Sequence, residues 1–413
     1  MLLRLATRMM LGTDPRLLLT FCYNFVWKGM MSVEKFKRRL KDNVFFPPFL
    51  YISVINSCNL KCQGCWVDVE HPRTMIAKDE LDKLITEAKE AGNSFFGLLG
   101  GEPFMHPQVL DVIEKHSDCY FQIFTNGQLI TEKIAKRLRE LGNVTPLISI
   151  EGDQEVSDVR RGKKDVYNKS MKGLLNCLNE KIITGVATSI CQSNIKDFLT
   201  KAWLEKLIGL GVHYAWFHGY RPVGDNMTDG LALRPEQLRQ VREFVVNMRA
   251  KMPIGIIDAY YDHEGKALCP MATGISHHIS PTGSVEPCPI IQFASESIRD
   301  EGTIFEKLTQ SKFLRDFREV TAGATRGCIM LERPDLVKDL VIRHDAKDTT
   351  LRKTALAELD RMKSLPSQYL REGEPIPEKH WMYKLAKRFW FYDFGMYEKH
   401  MRRSIKPEYA GKA

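Results

Sequence analysis

The sequence predicts an α/β fold in which six β–α units form an open, partial (βα)6 barrel. Between residue 48 and about residue 254, short runs rich in β-branched and aromatic residues alternate with charged, amphipathic runs. Consecutive β–α units form parallel sheets with right-handed crossovers, and the nearly continuous apolar strands are typical of a sheet buried on both faces. Because a closed barrel of this kind has eight units, we expect this one to be open on one side.

The individual elements follow from these runs. Six strands are expected at residues 49–56, 94–100, 120–126, 144–151, 183–190 and 214–220. The clearest helices are expected at residues 78–92, 131–142, 202–211 and 234–251. The first three helices end in Gly92, Gly142 and Gly211, and glycine suits the left-handed residue that follows a helix. In TIM-like folds the active site lies at the carboxyl ends of the strands, so we expect the functional residues there.

The chain divides into four segments. Residues 1–47 form a basic amphipathic segment, and residues 48–265 hold the predicted barrel. Residues 266–345 bear three cysteines and lose the β–α alternation, so we expect an irregular region there. Residues 346–413 form a basic, aromatic segment with a helical pattern.

The composition is that of an ordinary globular protein, since 44% of the 413 residues are apolar and 27% are charged. The formal charge of +9 lies at the two ends: residues 1–47 and residues 379–413 each carry nine Lys/Arg against three Asp/Glu. A nucleic-acid groove across the barrel is therefore not expected. The longest apolar stretch, residues 17–27, is about half the roughly 20 residues that span a bilayer. We therefore expect no transmembrane helix, and no cleaved secretory signal.

Three of the ten cysteines lie within eight residues, directly after the first predicted strand. They are Cys58, Cys62 and Cys65, in the pattern CxxxCxxC. This spacing suits metal ligation better than disulfides, and the reducing cytoplasm is the expected compartment. Soft thiolates select iron–sulfur clusters or zinc. Structural zinc sites use four protein ligands, and no matching pair of ligands lies nearby in the sequence, but zinc and a chance spacing remain alternatives at this point.

The end of the second predicted strand carries another motif, Gly100-Gly101-Glu102-Pro103. Together, the CxxxCxxC loop and this GGEP sequence resemble the radical SAM superfamily, which counts strongly against zinc or chance. The resemblance implies that the cysteines hold a 4Fe–4S cluster with one iron left open to chelate S-adenosylmethionine (SAM). It also implies that the GGEP backbone and Glu102 hold the methionine amino group. Paired glycines allow the main chain to approach a ligand closely, and a carboxylate is a suitable acceptor for an ammonium.

Polar residues at other strand ends fit the same interpretation. Those that the resemblance assigns to SAM are Thr125, Asn126, Ser149, Glu151, Arg161 and Asn194. Family members more often have Asp where this chain has Glu151, whose side chain is longer. Many relatives have an aromatic residue before the third cysteine, whereas this chain has Gly64 there and Trp66 after it. We expect the adenine contact from one of these two. A solvent-exposed helix face is the alternative role for Arg161.

A second group of cysteines follows the barrel. Cys269, Gly283 and Cys288 have the spacing C-x13-G-x4-C, and Cys328 lies further along the chain. This pattern resembles the twitch half of the SPASM extension. The resemblance implies one auxiliary 4Fe–4S cluster, held by these three cysteines beside a hairpin turn at residues 281–284. The full SPASM pattern has further cysteines that this chain lacks. The alternative is that the three are small buried hydrophobes, as we expect for the remaining cysteines, which are Cys22, Cys119, Cys177 and Cys191.

Both ends of the chain have helical stripes that suit either a membrane interface or packing on the barrel. In the first helix, Leu2, Leu5, Ala6 and Met9 share one face, opposite Arg4 and Arg8. The C-terminal stripe consists of Trp381, Leu385, Phe389, Tyr392 and Met396, beside Lys384, Lys387 and Arg388. Basic amphipathic helices with aromatic residues suit a membrane interface, but periodicity does not distinguish lipid from protein. A peripheral contact with the inner membrane face is therefore one of two expectations.

The predicted function is that of a radical SAM enzyme. The resemblance implies reductive cleavage of SAM to a 5′-deoxyadenosyl radical, an external one-electron reductant of the flavodoxin or ferredoxin type, and hydrogen abstraction from a substrate. A lipid or another small molecule is preferred over a peptide, because residues 1–47 are too few for the leader-binding domain that many peptide-modifying relatives carry. Peptide modification is the main alternative. A non-catalytic iron–sulfur electron carrier or redox sensor is an alternative of another class, against which the GGEP motif argues.

Overall fold

The structure is a computed structural model that describes residues 2–225, 227–369, 375–390, 392 and 394–398. Residues 399–413, the end of the basic aromatic segment, lie outside the described residues. Within the described part, the strands form one main sheet of nine strands and one separate two-stranded sheet.

Four helical pieces precede the first strand. They are α1 (Leu2–Gly12), α2 (Pro15–Thr20), a π-helix (Phe21–Trp27) and α3 (Lys28–Lys41). The expectation that Arg8 lies opposite the packed face of α1 is wrong, because Leu5, Arg8 and Met9 are all half-buried. The Arg8 guanidinium donates to the carbonyls of Ile208 at 3.2 Å and Val212 at 2.9 Å. The Ile208 carbonyl lies in the last turn of a barrel helix, where a cation is favoured by the helix dipole, and Val212 follows that helix.

The six predicted strands are all present and lie side by side in chain order. They are β1 (Phe49–Ser53), β2 (Phe95–Leu99), β3 (Tyr120–Thr125), β4 (Val144–Ser149), β5 (Gly185–Ile190) and β6 (Tyr214–Gly219). Each pairs in parallel with the next. The crossovers contain α4 (Lys78–Ala91), α5 (Val109–Lys115), α6 (Glu132–Leu141), α7 (Gln154–Arg161), α8 (Val166–Asn179), α9 (Ile195–Phe198) and α10 (Lys201–Leu210). The predicted α/β fold with a partial (βα)6 barrel is confirmed.

The helix ends follow the glycine signal. Gly92, Gly142 and Gly211 have φ angles of 111°, 79° and 97° and lie directly after α4, α6 and α10. This is the left-handed conformation that residues with a Cβ rarely adopt. The turn from each helix into the next strand is therefore fixed by the sequence itself.

Three further strands extend the sheet, of which the sequence predicted only the hairpin that joins the last two. After α11 (Pro235–Arg249), β7 (Gly255–Ile257) pairs in parallel with β6. At the other edge, β8 (Ser276–Ile279) pairs in parallel with β1, and β9 (Val285–Glu286) pairs antiparallel with β8. The predicted hairpin at residues 281–284 is the β8–β9 connection. The cysteine-bearing region is thus joined to the barrel through its own sheet.

The expectation of an irregular region is wrong for much of residues 266–345. After β10 (Phe293–Ala294), this part of the chain forms α12 (Ile304–Gln310), α13 (Lys312–Ala324), α14 (Ile329–Glu332) and α15 (Pro334–Arg343). The start of α12 is a capping box, in which the Glu306 amide donates to Thr303 Oγ1 and the Thr303 amide donates to the Glu306 carboxylate. Caps of this kind stabilise short helices. The sequence analysis relied on the β–α alternation, which stops before this region, and therefore did not identify these helices. Beyond lie β11 (Lys347–Asp348), which pairs with β10, and α16 (Ala355–Arg361).

The last described helix, α17 (Trp381–Trp390), packs on the barrel along much of its length. Lys387, which lies beside the C-terminal stripe in the sequence, is buried, and its ammonium donates to Asp258 Oδ1 at 2.6 Å. Trp390 stacks on Phe49 of β1 with ring centroids 5.6 Å apart. The C-terminal stripe is therefore only partly packed on the barrel, because two of its members, Trp381 and Leu385, are exposed. Among the described residues, no helix combines the length and apolar character needed to cross a bilayer.

Candidate active site

The three cysteines of the first motif lie on the loop after β1, at the carboxyl end of the sheet. Burial, together with the neighbouring Cys62, raises the pKa of Cys58 to about 11. Burial raises the pKa of Cys65 to about 12, with contributions from Cys62 and Cys58. The thiols are thus close enough to influence one another's charge. Three thiolates there need positive charge nearby, from a metal centre or a cationic side chain.

Arg161 supplies such a charge. Its Nη1 lies 3.6 Å from Cys62 Sγ, and its Nη2 donates to Glu151 Oε1 at 2.5 Å. Nε of Arg161 is buried and has no hydrogen-bond partner among the described residues. The solvent-exposed alternative for Arg161 is wrong, since the side chain is largely buried beside the cysteine loop.

The GGEP segment joins the second strand to the cysteine loop. The amide of Gly101 donates to the Ile55 carbonyl at 2.7 Å, and the amide of Glu102 donates to the Ser57 carbonyl at 2.9 Å. A Cβ on Gly100 would lie 2.4 Å from the Ile55 carbonyl oxygen. The close approach that these glycines allow is therefore between two segments of the chain, which holds the loop against the strand end.

Glu102 is completely buried and fixes the end of β3. Its carboxylate accepts from the Thr125 hydroxyl at 2.7 Å, the Asn126 amide at 2.8 Å and the Phe104 amide at 3.2 Å. Burial raises the pKa of Glu102 to about 7, and these hydrogen bonds oppose the rise. A carboxylate has about four acceptor positions, so one is left for a ligand. Pro103 follows directly and begins a short 3₁₀ turn.

Asn126 links the strand end to the cysteine loop. Its Nδ2 donates to Asn59 Oδ1 at 2.8 Å and lies 3.8 Å from Cys58 Sγ. Thr125, by contrast, has its hydroxyl occupied inside the protein, because it donates to Glu102 and accepts from the Gly127 amide. Of these two predicted residues, the structure places the side chain of Asn126 beside the sulfur atoms.

The ends of β4 and β5 are tied together by Glu151 and Asn194. Besides its contact with Arg161, the Glu151 carboxylate accepts from the Ser189 amide at 3.1 Å. Asn194 is fully buried, donates to the Ser189 carbonyl at 3.0 Å and accepts from the Cys191 amide at 2.8 Å. This pattern suits a positioning role for Asn194. Ser149 is half-buried at the end of β4.

The two residues expected near adenine lie on either side of Cys65. Gly64 has a φ of 65°, and a Cβ there would lie 1.9 Å from the hydroxyl of Tyr220. Only glycine allows this loop to close against Tyr220, the residue that follows β6. Trp66 is half-buried and packs edge-on against His278 of β8, with ring centroids 5.7 Å apart.

These residues fit the cofactors of the predicted class. Three grouped thiols are soft ligands for an iron–sulfur cluster. The buried guanidinium of Arg161 has an unused donor at Nε, and the carboxylate of Glu102 has an unused acceptor position. Within the described part of the chain, no three His, Cys, Asp or Glu side chains are grouped closely enough to share a single metal ion.

The second group of cysteines is also brought together. Burial raises the pKa of Cys269 to about 11, with a contribution from Cys328, and the pKa of Cys288 is raised by burial, Cys269 and Cys328. Arg221, which the sequence analysis missed, is half-buried beside them and donates to the Tyr260 hydroxyl at 3.3 Å. Burial would lower the pKa of Arg221, but Tyr260, Cys328 and Cys288 raise it. A cation thus accompanies each group of three cysteines.

Aromatic side chains line the concave side of the sheet below the cysteine loop. Tyr51 of β1 contacts Phe124 of β3 (6.0 Å between centroids), which contacts Trp216 of β6 (5.8 Å). Trp216 stacks on His218 (5.3 Å), which contacts Tyr260 (6.3 Å). Since β1, β3 and β6 are not neighbours in the sheet, their rings meet only inside the barrel. We call these five residues the aromatic floor.

Sequence reasoning missed the aromatic floor and Arg221. Both could have been found from their positions relative to the strand ends. Phe124 and His218 lie one residue before the ends of β3 and β6, and Arg221 lies two residues after β6. Active-site residues of such folds lie at the carboxyl ends of the strands. A search of these ends for aromatic and cationic residues, and not only for polar motif residues, would have found them.

Comparison with known proteins identifies the class. A sequence profile described as the radical SAM superfamily matches residues 52–200. Fe-coproporphyrin III synthase of Methanosarcina barkeri is 30% identical over 155 residues, which are 36% of this chain and 39% of that enzyme. The match therefore spans about two fifths of that relative. AdoMet-dependent heme synthase of the same organism is 23% identical over 309 residues, which are 64% of this chain and 87% of that enzyme.

The fold has solved counterparts. The crystal structure of Streptococcus suis SuiB bound to precursor peptide SuiA superimposes with a TM-score of 0.57 at 16% identity, over 68% of this chain and 69% of SuiB. At this identity the likeness concerns the fold. Over residues 52–200 the chain thus carries the domain of the radical SAM superfamily, a class of enzymes that use a 4Fe–4S cluster and SAM. The electron-carrier alternative is thereby set aside.

Proposed function

We propose that this radical SAM enzyme abstracts hydrogen from an apolar or unsaturated small molecule, such as a lipid, bound over the aromatic floor. The observation that carries this proposal is the row of rings from Tyr51 to Tyr260 inside the barrel. Tyr51, Phe124 and His218 are only half-buried. Ligand sites of small molecules are typically lined by apolar and aromatic side chains with few polar groups.

In this proposal the residues at the strand ends hold and orient the cofactors. Cys58, Cys62 and Cys65 hold the cluster, which when bound supplies the electron that cleaves SAM. Arg161 keeps a positive charge beside Cys62 and has Nε free to donate to a carboxylate. Glu102 offers its remaining acceptor position to an ammonium.

The residues that line the floor orient the substrate. None of the five is a carboxylate, lysine or arginine, and burial together with Arg221 lowers the pKa of His218 to about 3, so that its ring stays neutral. The floor therefore offers no charged partner to the charged side chains of a peptide. Exclusion of water by these rings protects a reactive substrate from side reactions.

The second cysteine group borders the same space. We propose that Cys269, Cys288 and Cys328 hold an auxiliary 4Fe–4S cluster. Tyr260 contacts both His218 of the aromatic floor and Arg221, which lies beside these cysteines. The auxiliary site is thereby connected to the substrate space by one side chain.

Peptide modification is the second candidate. It is favoured by the likeness of the fold to SuiB, whose structure contains a precursor peptide. At 16% identity this likeness says nothing about which residues contact a substrate. The aromatic floor, which consists of this chain's own residues, is therefore stronger support for a substrate class than the likeness to SuiB.

SAM cleavage tests the class-specific chemistry in this chain. The protein is reconstituted anaerobically with iron and sulfide and is given dithionite and SAM, and 5′-deoxyadenosine is measured. Cys62→Ala is expected to abolish the product. Cys22→Ala is the matched control, because Cys22 is exposed and outside both groups, and is expected to retain it. Equal turnover in both variants would contradict the assignment of Cys62.

The substrate class is tested with two fractions from the same cells, a lipid extract and a peptide fraction. We expect the lipid extract to stimulate 5′-deoxyadenosine formation and the peptide fraction to leave it at the background rate. Phe124→Ala is expected to reduce the stimulation, whereas Ile342→Ala, on an exposed site of α15, is expected to leave it intact. Stimulation by the peptide fraction alone would favour the second candidate.

A further inference from the structure

We propose that an exposed ridge on the N-terminal helices docks the protein on the surface of an anionic lipid bilayer. The apolar ridge consists of Leu19, Tyr23, Trp27 and Met31, which recur at every fourth position from α2 through the π-helix to α3. They are exposed by 71%, 59%, 56% and 49%. Residues four apart share one face of a helix, so the four side chains form one continuous row.

The packing of these helices does not use the apolar ridge. Their inner face is a separate set of buried residues, among them Leu17, Val33 and Phe36. Asn24, also buried, donates to the Ser117 carbonyl at 3.0 Å just before β3. The fold is therefore held by the inner face, and the ridge is a second apolar face. Contiguous exposed apolar surface of this kind marks an interaction site.

Basic residues flank the apolar ridge. A groove of about 450 Å³ beside Met31 is lined by four cationic side chains and two acidic ones. They are Lys28, Lys35, Arg38, Lys89, Glu34 and Asp118. Lys28 also lies over the ring of Tyr23, with its Nζ 5.1 Å from the ring centroid. The excess of positive charge complements anionic lipid headgroups, and each basic residue near such a surface adds to the attraction.

The composition of this face favours a bilayer over a protein partner. Trp and Tyr are enriched where proteins meet the headgroup region of a membrane, and lysine is favoured beside them. Lysine is depleted in protein–protein interfaces, whereas three of the four cations in the groove are lysines. Aromatic rings flanked by lysines therefore point to lipid.

The position of the ridge separates docking from catalysis. The N-terminal helices contact the amino ends of the strands, as the hydrogen bond from Asn24 to Ser117 shows. The cysteine loop and the aromatic floor lie toward the carboxyl ends. Docking thus holds the enzyme at the membrane with its active site directed away from the lipid surface. It does not depend on the substrate that is proposed for the site.

The test is sedimentation of the full chain with vesicles of phosphatidylcholine, with and without phosphatidylglycerol. We expect the wild type to sediment with the anionic vesicles and to be released by salt. Leu19→Ser/Trp27→Ser is expected to weaken this binding by about tenfold or more, as two large apolar side chains no longer enter the interface. Ile342→Ser, exposed by 59% on α15, is the matched control and is expected to bind like the wild type.

Three further measurements make the outcome decisive. The thermal midpoint and the dithionite-driven SAM cleavage of the ridge variant should equal those of the wild type, because the ridge supports neither the core nor the site. Lys28→Glu/Arg38→Glu should reduce binding to anionic vesicles. Wild-type protein that stays in the supernatant, or a ridge variant that binds equally well, would overturn the proposal. So would a lipid-free dimer that dissociates on Leu19→Ser/Trp27→Ser, since the ridge would then join two copies of the chain.

Discussion

The amide of Glu102 donates to the carbonyl of Ser57 at 2.9 Å, which ties the end of β2 to the residue before the first cysteine. The neighbouring Gly101 makes this possible. A Cβ at that position would lie 2.2 Å from the carbonyl oxygen of Asn56 and 2.3 Å from that of Ser57. Because both obstacles are backbone atoms, no side-chain movement relieves the clash.

Gly101→Ala is expected to separate the cysteine loop from the strand end. The variant should take up much less iron on reconstitution and unfold at a lower temperature than the wild type. Iron per chain and the thermal midpoint of the apoprotein are measured. Gly209→Ala is the control, because nothing lies within 4 Å of a Cβ there and alanine is favoured over glycine in a helix by about 1 kcal/mol. Full iron content in Gly101→Ala would contradict the role of the glycine.

Glu151 and Arg161 are expected to act as one unit in the apoprotein. Their contact of 2.5 Å is largely shielded from water, and removing one partner of a buried ion pair costs about 3–5 kcal/mol. We expect Glu151→Gln and Arg161→Gln each to lower the free energy of unfolding by several kcal/mol. The double variant should lose less than the two losses together, by about 1–3 kcal/mol.

Urea unfolding of the four proteins measures this coupling. The exposed pair Lys201 and Glu205 on α10 is the control, since such pairs contribute about 0.3–0.5 kcal/mol. Losses that simply add in the double variant would mean that Arg161 is held by the cysteine loop and not by Glu151.

The sequence predicted the parallel strands and the first motif well, because both depend on local signals. Apolar runs define β1 to β6, and helix-ending glycines such as Gly92 define the turns. Thr125 and Asn126 were selected by their position at a strand end together with the resemblance to the family, and their contact with SAM stays a prediction. What the sequence could not supply were contacts between distant segments. β8 joins β1 across more than 200 residues. In the sequence Lys387 lies beside a basic stripe, and only the fold brings it to its partner Asp258.

Cys288→Ala tests the auxiliary site. With two 4Fe–4S clusters the wild type should hold roughly eight iron atoms per chain, and the variant should fall toward roughly four. Cys22→Ala is expected to match the wild type, because that side chain is exposed on the π-helix, far along the chain from either group. Iron and sulfide analysis after anaerobic reconstitution gives the answer. An unchanged iron content in Cys288→Ala would mean that the second group of cysteines holds no cluster and consists of small hydrophobic side chains.

Arg221→Gln should change the electrochemistry of that site. A positive charge beside thiolate ligands stabilises the reduced state, so its removal is expected to lower the reduction potential, on the order of 60 mV, which is tenfold in a one-electron equilibrium. The measurement is a redox titration in a Cys58→Ala/Cys62→Ala/Cys65→Ala background, where only the second group can bind a cluster. Arg318→Gln, buried against Phe45 with its guanidinium 4.1 Å from the ring centroid, is the control. A potential that shifts equally in both variants would rule out a specific effect of Arg221.

Acid stability should depend on Asp258, which holds α17 against the barrel. Arg249, Lys387 and Arg242 all donate to its carboxylate at 2.6–2.8 Å. Burial alone would raise the pKa of Asp258, but these three cations lower it well below its usual value. The folded protein therefore keeps this group ionised at pH values where the unfolded chain protonates it. Its stabilising effect is complete above the unfolded pKa of about 4 and is lost as the pH falls below it.

Asp258→Asn is expected to reduce the free energy of unfolding at neutral pH by about 3–5 kcal/mol, since three buried cations then face one carboxylate, that of Glu378. The variant should also lose part of the acid dependence that the wild type shows below about pH 4. Urea midpoints measured across the acid range separate the two effects. Glu205→Gln removes an exposed carboxylate and should follow the wild-type curve. If Asp258→Asn runs parallel to the wild type at every pH, the carboxyl of Asp258 does not titrate with folding, and α17 is held by the packing of Trp390 on Phe49 instead.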